Sequence, residues 1–143
     1  MSFDLEIKNG DFAISRDGSL SVVVENKKLR QDIVKVLLTG IGENKYHKFY
    51  GSHLGSIQLG NVPNPKVVEA DIASSAETAI RNLMKLQKHQ SKKQFIGPGE
   101  YIVDILGIDI QRNKEDPRQY NVVVSVLTRK LTHVTESVTV KIL

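Results

Sequence analysis

The first 25 residues alternate apolar and polar side chains: Phe3, Leu5 and Ile7 are interleaved with Asp4, Glu6 and Lys8, and alternation resumes in "DFAI" and "LSVVV". Asn9-Gly10 and Asp17-Gly18 separate the runs. Asparagine, aspartate and glycine tolerate positive φ, so alternation broken in this way predicts short antiparallel strands joined by tight turns, a small β-meander over 1–25. Asp11 and Asp17 lack metal-loop spacing and are expected to serve those turns.

The period then changes. Leu29, Ile33, Val36 and Leu37 recur at helical spacing in "KKLRQDIVKVLLT", with Asn26 as the expected cap and Gly40 and Gly42 as the expected stop through left-handed backbone angles. The stretch that leaves this helix, "TGIGENKYHKFYGSHLG", opens a corner loop over 39–62. A longer helix follows, capped by Asn64 with Pro65 in its first turn. Val68, Ile72, Ala76, Ala79, Leu83 and Leu86 form its apolar side, and the small residues there predict close packing. "IGPG" ends a helical part that spans 26–95.

Three segments rich in valine, isoleucine and threonine fill 100–143: "EYIVDILGIDIQ", "QYNVVVSVLT" and "HVTESVTVKIL". In the last, Val134, Val138, Val140 and Ile142 point one way and Thr135, Ser137, Thr139 and Lys141 the other, a strand with one buried and one wet face. It either closes its own sheet or lies against the edge of another chain. The whole is expected to be one small α+β domain: meander, two helices and C-terminal antiparallel strands.

Composition fits this picture and removes several chemistries. A chain of 143 residues, 40% hydrophobic and 25% charged, matches a folded domain. No apolar run approaches the ~20 residues of a membrane span, and no signal-peptide pattern opens the chain, so a cytoplasmic site of synthesis and no membrane are expected. With no cysteine there is no disulfide, thiolate metal site or cysteine nucleophile. The net charge is +4, concentrated in one place: Thr78 to Gly99 holds no acid but carries Arg81, Lys85, Lys88, Lys92 and Lys93. These lysines either complement a helix dipole or face an anionic partner.

Catalytic patterns are absent from the spacing. Glu43 is the only acid between Asp32 and Glu69, and nothing directs Asp32 toward it, so no carboxylate pair of the kind glycoside hydrolysis requires is visible. His47, His53, His89 and His133 include no helical i, i+4 pair, and no H-E-x-x-H, G-x-S-x-G or phosphate-loop lysine occurs. Phe95 is the only aromatic within the basic run, a poor platform for bases. We expect no cofactor, no metal, no small-molecule substrate and no nucleic acid partner.

The corner does carry a resemblance. Gln31, Ile33 to Thr39, then Gly42, Glu43, Tyr50, Gly51 and Leu54 resemble the baseplate wedge or sheath-initiator family of contractile-tailed bacteriophages, long labelled lysozyme-like. Members often follow the glutamate with arginine or a proline-containing spacer, where this chain has "NKYHKF". The resemblance implies a non-enzymatic virion protein of the tail baseplate, assembled in the host cytoplasm. Its implied partners are the tail sheath protein and other wedge proteins, with tube or hub proteins as further candidates. It also implies that C-terminal strands template the first sheath ring. Strand addition would use Tyr120 to Leu127 and Val134 to Ile142, while the Leu29 to Leu54 corner sits in the wedge. Loss of the final strand is expected to leave a folded domain unable to initiate sheath. The alternatives are a muramidase-type hydrolase using Glu43 and a nucleic-acid module using Lys85 to Lys93. At the corner, Tyr46, Phe49 and Tyr50 are expected to anchor the loop and Glu43 to hold its shape.

Overall fold

Why the C-terminal third dominates the fold follows from its central strand. In the computed structural model, which describes residues 2–56 and 64–142, Gln119–Thr128 (β6) lies between Ile102–Arg112 (β5) and His133–Lys141 (β7) in a three-stranded antiparallel sheet. Every second side chain of β6, from Tyr120 through Val122, Val124 and Val126 to Thr128, is buried. The intervening residues face the open side of the sheet and are half-buried. Valine suits this position because its branched Cβ packs on a pleated surface.

Both helices cover the inner face. Glu25–Leu38 (α1) contributes Leu29, Ile33, Val36 and Leu37, as the spacing predicts. Pro65–Gln90 (α2) contributes Val68, Ile72, Ala76, Ala79 and Leu83, and also Ile80 and Gln87, which the apolar stripe omits, whereas the expected Leu86 is only partly buried at the edge of the core. Asn64 caps α2 by accepting a bond from the Lys66 amide at 3.0 Å. Asn26 does not cap α1. The helix starts two residues earlier, with Val24 at the cap and no side-chain bond there. Glu25 takes a left-handed φ of 53° and accepts a bond from the Gly99 amide at 2.7 Å. A side chain at Gly97 or Gly99 would run into that carboxylate, so "GPG" is a cradle for Glu25 as well as a break.

Gln87 joins α2 to the sheet. Its Nε2 donates to the Glu100 carbonyl at 2.6 Å, and its Oε1 accepts from the Ile102 amide at 2.9 Å. A side-chain amide thus supplies both bonds that a neighbouring strand would give to the start of β5.

The N-terminal meander consists of Asp4–Leu5 (β1), Ile7–Lys8 (β2), Asp11–Phe12 (β3) and Val22–Val23 (β4), with β1 paired to β4 and β2 to β3. Asn9 and Gly10 both have positive φ, the signature of the tight turn expected of Asn-Gly. Alternation buries little here: Val23 is in the core, whereas Phe3, Phe12, Ile14, Leu20 and Val22 stay exposed. Two-residue pairings are too short to fold a second layer over them.

The last strand closes its own sheet. Val134, Val138, Val140 and Ile142 are buried against α1 and the rest of the core. Two expectations fall with this. β6 is bonded on both sides, so Tyr120 to Leu127 cannot be an offered edge. Removing β7 together with Ile142 would strip four core side chains, and a folded truncated domain is not expected. Residues 57–62 of the corner loop lie outside the described residues.

Replacing Gln87 with Leu orphans the buried Glu100 carbonyl and Ile102 amide. The loss should be about 1–4 kcal/mol, from about 2–6 kcal/mol for the two unpaired buried groups less about 1–2 kcal/mol gained by burying leucine. Urea denaturation of Gln87→Leu, with Gln87→Glu as the partial retention of acceptor function, measures it.

Candidate functional site

The corner is built around a missing side chain. Gly51 has φ 124°, and a Cβ there would stand 2.7 Å from the Thr39 carbonyl oxygen. Glycine lets the returning chain lie against the end of α1 in a parallel bridge between Gly40 and Ser52. The Ser52 amide donates to Thr39 O at 2.8 Å, and its hydroxyl donates to the otherwise free Leu37 carbonyl at 2.6 Å. These bonds cap the helix, so its stop owes more to Ser52 than to glycine. Thr39 itself is extended, and of the two expected stop glycines only Gly42 has positive φ. Gly40 is needed for room, because the Glu43 carboxylate sits over it and accepts its amide at 3.1 Å.

The aromatics divide. Tyr50 is buried beside Leu54 in the core cluster. Phe49 packs under the Lys85 ammonium, 4.4 Å from the ring centre, and beside His47 and His89. Tyr46 is 85% exposed and anchors nothing.

Beside the corner, α1, α2 and the N-terminal strand enclose a cleft of about 730 Å³. Asp32 and Glu43 both line it, although their spacing in the chain gives no such direction. Asp32 binds Lys28 at 2.8 Å and Lys35 at 3.6 Å, and Lys35 also pairs with Asp4. Burial opposes ionisation of Asp4, but Lys35 and Gln31 outweigh it and hold the carboxyl below its ordinary value. Lys28 is raised in the same way, its desolvation outweighed by Asp32 and Glu100. Burial pushes the Tyr50 hydroxyl up, with Asp32 and Asp4 adding to it. Glu100, only 2% exposed and 3.9 Å from Lys28, is pushed up by burial, and Lys28 offsets part of that.

The charges of the cleft thus answer one another, and no buried side-chain polar atom among the described residues lacks a partner. No group of three or more metal-binding side chains occurs among those residues either. Lys28, Lys35 and Glu100 were not singled out by the sequence. For Glu100 the available signal was its place after "GPG", where the chain is pressed against Glu25.

The sheet has a second notable feature, its β7 edge. The bonds Thr128 N to Thr132 O and Ile142 N to Arg118 O bracket the β6–β7 ladder. Antiparallel alternation between them turns the backbone of Val134, Glu136, Val138 and Val140 toward β6, and that of Thr135, Ser137 and Thr139 outward. One outward amide is already occupied: Ser137 donates to Glu136 Oε1 at 3.0 Å. At the other edge, the Ile105 amide donates to Asp104 Oδ1 at 2.9 Å. The β5 edge is also irregular in register between Ile102 and Asp104 and between Ile105 and Gly107, whereas β7 is regular throughout.

The basic run does not act as one surface. Arg81 is paired with Glu77 at 2.7 Å, and Lys85 is held on Phe49. Lys88, Lys92 and Lys93 are exposed on α2 and just beyond it.

No family model and no curated protein matches the sequence. The fold has a relative. It is similar to a crystal structure from Geobacter sulfurreducens described as a "putative tail lysozyme". The TM-score is 0.59 at 12% identity, over 82% of this chain and 90% of that one. At that identity the likeness is one of fold: two helices over an antiparallel sheet.

Glu100 yields a test with a definite sign. A carboxyl raised in the folded state is penalised once ionised, so Glu100→Gln removes a cost that is absent below the ordinary glutamate pKa of about 4.3. The stability of Glu100→Gln relative to the parent should therefore rise as the pH climbs above about 4.3 and level off once Glu100 is ionised in the folded state, as read by urea denaturation. Lys28 retains Asp32 as its partner in this variant.

Proposed function

We propose that the protein is a non-enzymatic structural component of a contractile phage tail baseplate, and that it templates the first ring of sheath subunits by accepting a strand along β7. The observation that carries this reading is the edge of β7. It is nine residues long, regular in register and unpaired on its outer side among the described residues. An added strand would bond to the outward groups of Thr135, Ser137 and Thr139, with its register read by alternate side chains. Val134, Val138, Val140 and Ile142 would take part by holding the edge straight from inside, not by touching the sheath.

Three further observations support it. The corner residues Gly42, Glu43, Tyr50, Gly51 and Leu54 match the wedge pattern, and a protein of the same fold bears a tail name. The N-terminal segment keeps Phe12, Ile14 and Leu20 exposed, and its Ile7 and Val23 line a groove of about 530 Å³ that reaches Glu136. Apolar surface of this kind marks an interface. In the assembly the corner and meander would face other wedge proteins, with tube or hub proteins beyond, and the protein would reside in the virion.

A second reading draws on Asp32 and Glu43 sharing a cleft and on the word lysozyme in the relative's name. Two carboxyl groups are what glycan hydrolysis needs, but Asp32 is bound by two lysines and Glu43 by an amide. A peptidoglycan turbidity assay decides it: clearing that disappears in Glu43→Gln would establish the hydrolase.

The edge itself is tested by proline, which blocks a donor without touching the β6 ladder when its nitrogen points outward. Thr135→Pro with Thr139→Pro should stay folded by circular dichroism yet fail to start sheath on baseplates in vitro, while Thr139→Val starts it normally. Sheath of normal length on the proline variant would sink the strand-addition reading.

A further inference from the structure

Between the second half of α2, the start of β5 and the β6–β7 turn lies a groove of about 620 Å³ that involves none of β7. Its apolar lining comes from Met84, Tyr101, Ile102 and Val103, with Ile102 buried beneath, and its basic lining from Lys85, Lys88 and Arg129. We propose that this groove docks a protein segment in which acidic residues flank a large apolar side chain. The proposal does not rest on the strand-addition reading.

Two of the cations are held in place without being neutralised. Arg129 lies 4.0 Å from the centre of the Tyr101 ring, and Lys85 4.4 Å from that of Phe49. Aromatic rings position a cation while leaving its full charge for a partner, whereas Arg81 one turn earlier is spent on Glu77. Among the described residues no carboxylate forms an ion pair with Lys85, Lys88 or Arg129. Positive charge around an apolar floor is complementary to acidic side chains around an apolar one.

Leu131 adds an independent sign. It stands at the tip of the β6–β7 turn on the groove rim with φ 63°, a left-handed conformation that favours glycine. It is also 77% exposed. The Leu131 amide closes the turn on the Thr128 carbonyl at 2.9 Å, but its bulky apolar side chain stays in solvent on strained backbone, and such residues gather at contact sites. Within the groove Leu131 would close over the partner's apolar side chain. A nucleic acid fits less well, since the Tyr101 face on which a base would stack is covered by Arg129.

The probe is a short fluorescein-labelled peptide of glutamates and aspartates around a central phenylalanine, read by anisotropy. Beside it run the same peptide with a central alanine and a single-stranded oligothymidylate of equal charge. The phenylalanine peptide should bind best, and its affinity should fall with added salt. Lys88→Glu with Arg129→Glu, and separately Leu131→Gly, should each weaken it about tenfold or more, a loss of about 1.4 kcal/mol. Leu131→Gly should keep or raise Tm, because glycine relieves the left-handed backbone. Absent binding, equal binding of the alanine peptide, or tighter binding of the oligothymidylate would each overturn the proposal. So would a marked fall in Tm for Leu131→Gly, which would make Leu131 a structural residue.

Discussion

The backbone of β6 is shared, residue by residue, between two neighbours. Its even-numbered residues bond to β7 and its odd-numbered ones, from Gln119 in the bond with Asn113 onward, bond to β5. The same alternation sends Tyr120, Val122, Val124 and Val126 into the core. One strand therefore sets the face that the helices must cover and the groups that remain on both outer edges. With three strands and no closure, edges cannot be avoided, so they have to be managed. β5 is kinked by irregular register, and Asp104 fills an amide there; β7 stays regular and relies on Glu136. The two edges therefore differ in regularity: β5 breaks register twice and β7 does not.

The corner and its cleft belong to the same economy of satisfied groups. Ser52 takes a carbonyl at the end of α1, Glu43 takes an amide of the turn, and Gln87 takes two backbone groups where β5 begins. Lys28 and Lys35 tie Asp4, Asp32 and Glu100 around α1. A carboxylate engaged in this way is costly to free for proton transfer, because its partner would be left charged or unpaired in a partly buried site. The network instead ties the N-terminal strand to α1 and to the segment that enters β5.

Much of the fold was legible along the chain. Stripes at 29, 33, 36 and 37 and at 68, 72, 76, 79 and 83 appear as buried helix faces, Asn64-Pro65 starts α2, and alternation from Val134 to Ile142 gives a strand with one buried face. Such signals are local, since period and cap chemistry depend on residues a few positions apart. The misreadings also have local causes. Asn26 has the right chemistry for a cap, but Glu25 reaches the Gly99 amide instead, and alternation in the meander could not reveal that its strands are two residues long.

By itself the sequence determined the element types, the buried faces of the helices and of β7, the absence of thiol chemistry and the location of the corner. Only the tertiary structure decided that β6 is central and β7 an edge, that Asp32 and Glu43 share a cleft, and that Lys85 leaves the basic run for Phe49. Those outcomes join residues far apart in the chain. They depend on strand order and on how helices lie across a sheet, and no periodicity within a single segment encodes either.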